Sequence, residues 1–156
     1  MTELGLTGGR CFEDFTVGLV MRHPLGRTVT ATDNIWSSLT TVNTNPIHFD
    51  AHYSSQTEFG RPLVNSCFTL ALVTGLSVAD VSRNAFNLGW DEVRMPNPVF
   101  EGDTIYSRSE ILETRVWLWW YPFNNGAHSI LLATSAGVDS VASSEQGFQR
   151  IIAGLQ

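Results

Sequence analysis

The chain has 156 residues, a formal net charge of −6 from nine arginines, no lysine and fifteen acids, and 43% hydrophobic residues. That is enough chain for one domain with a real core, and the composition excludes a disordered polymer. An acidic balance without basic clusters excludes nucleic acid as the main partner, and two cysteines, Cys11 and Cys67, give neither a disulfide framework nor a zinc spacing.

In chain order, "MTELGLTGGR" has no basic n-region and no apolar h-region, so no signal peptide and a cytoplasmic location are expected. "FTVGLVMRHPLGRTVTA" suits a short strand, a turn at Pro24 and Gly26, and a second strand. From Thr32 the pattern turns helical: Thr32 can cap, Asp33 suits the positive N-terminal dipole, and Ile35, Trp36 and Leu39 supply an apolar stripe. Pro46 disfavours helix at the residue before it, so that helix ends ahead of Asn45. Asp50 reads as the cap of another short helix, "AHYSSQTEF".

Residues 65–82, "NSCFTLALVTGLSVADVS", are the longest apolar stretch. They are too short and too rich in hydroxyls for a membrane span and predict a buried helix capped by Asn65 or Ser66, with Cys67 as a small buried hydrophobe. "NAFNLGWDEVRM" reads as a strand and "NPVFEGD" as a turn-rich connection. "TIYSRSEILETRVWLWWYPF" is a long strand in which Ile105, Ser107, Ser109 and Ile111 alternate with Tyr106, Arg108, Glu110 and Leu112. "NNGA" signals a hairpin, and "HSILLATSAGV" and "FQRIIAGLQ" supply two more strands. No repeat or linker divides the chain, so residues 1–156 read as one α+β domain, a sheet curved around a helix.

Three stretches in order, "NPIHFD", "FGRPLVNSCFTLALVTGLS" and "PVFEGDTI", resemble the MaoC-like (R)-specific enoyl-CoA hydratases. Asn65-Ser66, where typical members carry His-Gly, is most similar to the subgroup acting on mesaconyl-CoA, itaconyl-CoA or β-methylmalyl-CoA. The resemblance spans roughly residues 10–115, judged by motif order. "VWLWWYPF" and the end of the chain carry no family landmark. The resemblance implies a single hotdog, an antiparallel sheet wrapped around a long central helix. It also implies a homodimer or dimer of dimers, no cofactor or metal, and a CoA thioester as substrate.

Carried over position by position, the family's acid-base histidine is His48 and the middle asparagine of its motif is Asn45. The usual aspartate is replaced by Asn43. His48 is the group of this loop that titrates near neutrality and suits proton transfer. A carboxamide cannot act as a base near neutral pH, although it can orient water. Three readings stay open: His48 works alone, Asp50 or Asp33 substitutes, or catalysis has been lost and CoA binding kept. The oxyanion donor implied by the resemblance is the Ser66 amide at the start of the long helix, with Asn65 beside it. Thr74 falls where the family places a hydroxyl facing the site, and Arg61 and Arg94 are candidates for CoA phosphates. Trp119 and Trp120, adjacent on a strand, must face opposite sides. The alternative functions are a hotdog acyl-CoA thioesterase, disfavoured because residues 65–78 contain no acid, and a non-catalytic acyl-CoA-binding protein.

Overall fold

The structure is a computed structural model that describes residues 9–85, 87, 90, 93–122, 128–144 and 147–154, with side chains through residue 114. Strands β1 (Val20–Arg22) and β2 (Arg27–Thr28) lead into helix α1 (Ala31–Thr40). A short 3-10 turn at Pro46–His48 and helix α2 (Ala51–Ser55) precede the long helix α3 (Ser66–Val81). Strands β3 (Thr104–Pro122), β4 (His128–Ser144) and β5 (Gly147–Gly154) follow. All pairings are antiparallel, in the order β1-β3-β4-β5, with β2 also on β3. This is the α+β arrangement the sequence predicts.

The alternation in β3 orients the sheet. Ile105, Ser107, Ser109 and Ile111 are all buried, whereas Tyr106, Arg108 and Leu112 are exposed. Above this face α3 buries Thr69, Val73, Ser77 and Val81, one residue per turn at four-residue spacing. Val73 and Ile105 join Val29, Val64 and Val99 in one core cluster, and Val81 and Ile111 join Met21 in another. The buried hydroxyl of Ser109 meets His23 Nε2 at 2.9 Å, and His23 Nδ1 meets Asp80 Oδ2 at 2.8 Å. That chain straps the end of α3 to β1 and β3.

Several local expectations change. α1 is capped by Thr30 rather than Thr32: the Asp33 amide donates to the Thr30 hydroxyl (3.2 Å) and the Thr30 amide to the Asp33 carboxylate (2.8 Å). This reciprocal box needs a three-residue spacing, which Thr30 has and Thr32 lacks. Burial pushes the Asp33 carboxyl up, but the Thr30 hydrogen bonds and the Arg27 guanidinium outweigh it and hold the group below its ordinary value. α1 also turns the opposite face inward. It buries Asn34 and Ser38, leaving Ile35, Leu39 and, at 73% exposure, Trp36 outside. Cys67 is exposed rather than buried, because two residues from Thr69 it lies far around α3 from the buried stripe. The second short helix stops at Ser55. Of residues 84–95, those described are not in a strand; residues 86, 88, 89, 91 and 92 lie outside the description. Residues 124–127, where a hairpin turn is expected, also lie outside it; Pro122 of β3 pairs with His128 of β4. Trp119 and Trp120 stand opposite Leu131 and Ile130, with side chains beyond the description.

Candidate active site

The loop after α1 is shaped by consecutive turns. α1 closes with the Val42 amide on Leu39 O (3.1 Å) and the Asn43 amide on Ser38 O (2.8 Å), a paired helix-ending motif. Its left-handed residue is Val42, at φ 57°, where glycine is usual. Asn43 Oδ1 then accepts from the Asn45 amide (3.1 Å), and Asn45 Oδ1 from the Ile47 amide (3.2 Å). These turns spend the oxygens of both asparagines on the backbone and deliver the chain into Pro46–His48. Asp50 caps α2 by accepting from the Tyr53 amide at 2.9 Å. The two carboxylates that could have substituted at position 43, Asp50 and Asp33, are thus both engaged as helix caps.

His48 is half-buried, and its Nδ1 lies 2.8 Å from the Leu63 carbonyl. A carbonyl only accepts, so Nδ1 carries the proton; in the neutral ring Nε2 keeps a free lone pair. Among the described residues Nε2 has no partner. Asn34, only 4% exposed, sits behind this arrangement. Its Nδ2 donates to His48 O (2.7 Å) and Leu63 O (3.0 Å), and its Oδ1 accepts from the Asn65 amide (2.9 Å). Asn65 caps α3 through Oδ1 on the Cys67 amide (3.0 Å), and its Nδ2 reaches Ser38 Oγ at 3.4 Å. The Asn65 and Cys67 amides are thereby occupied. The Ser66 amide between them has no partner among the described residues, at the helix end where free N–H groups and the dipole favour an anion.

Ser66 opens onto a pocket of about 320 Å³ whose walls include Phe59, Leu63, Val64, Thr69, Met95 and Val99. His48 is not part of that wall but is tied to it through the Leu63 carbonyl. Thr69, absent from the sequence reading, contributes to the wall. Thr74 does not, and its hydroxyl donates to its own helix at Leu70 O (2.9 Å). The Arg61 guanidinium stacks 4.0 Å over the Phe100 ring, and Phe100 packs on Phe59 of the pocket wall. Arg94 is exposed beside Met95 of the same wall. The structure thus joins His48 and Asn65 through Asn34 and Leu63 in one network, with Ser66 next in the chain and on the pocket wall. Asn43 and Asn45 lie in its loop, Arg61 and Arg94 at its margin, and Thr74 outside it. Asn34 was missed; it lies with Ser38 on the polar face of α1, away from the Ile35, Trp36 and Leu39 stripe, and no local pattern marks it. Among the described residues no His, Cys, Asp and Glu cluster could hold a metal, and no helix is long and apolar enough to cross a membrane.

A long helix packed across an antiparallel sheet defines a hotdog fold. A Mycobacterium tuberculosis protein described as a double hotdog superposes with a TM-score of 0.69 at 19% identity, covering 95% of this chain and 45% of that one. Residues 14–118 match the model of the MaoC-like domain, and the chain belongs to that family. It is 31% identical to a β-methylmalyl-CoA dehydratase of Chloroflexus aurantiacus over 101 residues, covering 65% of this chain and 29% of that protein. It is 30% identical to a mesaconyl-CoA hydratase of Cereibacter sphaeroides over 141 residues, covering 84% of this chain and 37% of that one. The chain therefore spans about a third of the length of these curated relatives.

Proposed function

We propose that this protein is a hydro-lyase that reversibly hydrates a short, branched or dicarboxylic enoyl-CoA, with no cofactor. The observation that carries the reading is His48, its Nδ1 committed to Leu63 O and its Nε2 left with a free lone pair. In the hydration direction, Nε2 takes a proton from water and the hydroxide bonds to the β-carbon. The double-bond electrons shift toward the thioester oxygen, where the Ser66 N–H stabilises the developing charge. The His48 imidazolium then returns the proton to the α-carbon, so one water is consumed and no redox partner is needed. Asn43 and Asn45 shape the loop, and in this reading Arg61 and Arg94 meet CoA phosphates, which guanidinium forks suit. The names of the curated relatives, a dehydratase and a hydratase of branched dicarboxylic acyl-CoAs, support this substrate class.

Asn43 favours a second reading, a CoA-thioester binder without turnover. Its oxygen is spent on the Asn45 amide and it brings no titrating group. One experiment separates the two and also tests thioester hydrolysis. Crotonyl-, mesaconyl- and itaconyl-CoA are assayed for loss of enoyl absorbance with free thiol measured in parallel. Hydration without thiol release is expected, falling at least ~10²-fold in the His48→Ala variant with CoA binding retained. Thiol release, or no reaction with any of them, sinks the hydro-lyase reading.

A further inference from the structure

The geometry points to Asn34 as a positioning residue that sets His48 and the oxyanion end of α3 in one frame, an inference that rests on the reading of His48 as the proton-transfer group. Asn34 is buried, and its partners fix its orientation. Two of its partners, His48 O and Leu63 O, only accept, and the third, the Asn65 N–H, only donates. The carboxamide must place its nitrogen toward the first pair and its oxygen toward the last.

Each partner governs a different part of the chemistry. His48 O fixes the backbone that carries the imidazole. Leu63 O also accepts from His48 Nδ1 at 2.8 Å, so it sets the ring's direction and tautomer. The Asn65 amide immediately precedes that of Ser66, a residue of the pocket wall. One planar group therefore holds the anchor of the base, the backbone of the base and the first turn of the anion-binding helix. No shorter side chain spans all of them. An apolar isostere leaves the His48 carbonyl and the Asn65 amide without this partner and Leu63 O with His48 Nδ1 alone, and the freed groups will move to find water. A shift of about 1 Å in such a constellation costs on the order of 10²-fold in rate. Ser38, one helical turn from Asn34 and fully buried, supports the frame through Asn65 Nδ2 at 3.4 Å.

The test uses Asn34→Asp and Asn34→Ala. The aspartate is isosteric and can still accept from the Asn65 amide, but as a carboxylate it cannot donate to either carbonyl. The alanine makes none of the bonds. Two readouts are taken on each folded protein: kcat and KM for the best enoyl-CoA, and the His48 tautomer from imidazole ¹⁵N shifts. In the neutral wild-type ring His48 is expected in the Nδ1–H form. In both variants kcat should fall on the order of 10²-fold with KM little changed, and His48 should become a mixture of tautomers. If Asn34→Ala does not fold, Asn34→Asp alone decides the matter. Wild-type kcat and tautomer in either folded variant overturn the inference, as does a loss of kcat with the tautomer intact. The ¹⁵N readout needs no turnover. A wild type that hydrates nothing therefore sinks the functional proposal, while the shifts still judge the frame.

Discussion

Asn43 is the residue where this chain departs most from the motif it otherwise follows. Its oxygen supports a turn by accepting from the Asn45 amide, a task a carboxylate performs at least as well. Asn43→Asp should therefore fold normally while adding a negative charge to the loop that carries His48. That charge favours the imidazolium form of His48. Turnover of crotonyl-CoA should rise, and turnover of mesaconyl-CoA should fall through repulsion of its free carboxylate. Measured turnover of both substrates decides it; a variant slower on both would make Asn43 itself an active element. The Asp50 cap was legible in the sequence because its chemistry is local; Asn43 and Asn45 bond amides just as locally, but motif order pointed to the site rather than to these turns. Asn34 was not legible, because its partners lie 14, 29 and 31 positions further on and only the fold collects them.

Helix α1 was legible in extent but not in phase. Periodicity shows that one face differs from the other, and an apolar face is ordinarily turned inward. Here the inward face meets a polar frame, so Asn34 and Ser38 are buried. The helix then ends at some cost. Val42 holds φ 57°, a region that penalises a β-branched residue, and is 79% exposed, so little packing compensates. Val42→Gly should stabilise the protein by about 0.5 to 1 kcal/mol, the relieved strain exceeding the extra entropy of an unfolded glycine. Denaturant midpoints compare the two proteins, and a lower midpoint for the glycine variant would mean that Val42 is held by contacts its exposure does not reveal. For α3, length and cap were legible in Asn65 and the apolar run, whereas Cys67 was misplaced. An apolar run does not reveal which of its sides the sheet will cover.

Across the whole molecule, apolar surface remains outside after the core is formed. Trp36, Leu39 and Val42 stand outward from α1 and its end, and Val78 from α3. Separately from that surface, we propose the homodimer that the resemblance implies, two sheets joined edge to edge. Light scattering at micromolar concentration should give twice 17.2 kDa, and a fully active monomer would remove the homodimer from the proposal. The long strands and the central helix were legible in order and type, because alternation in β3 and the apolar run of α3 are strong local patterns. The sheet's completion was not, since β1 pairs with β3 across almost ninety positions. The frame around His48 behaves in the opposite way. All its hydrogen bonds join residues between 34 and 65, a contiguous stretch that crosses the sheet at no point. The stretch is in that sense portable. A gene that duplicates the hotdog can keep the frame in one copy and let its polar groups decay in the other, provided that Val64 of the core and the Asn65 cap of α3 are kept in both.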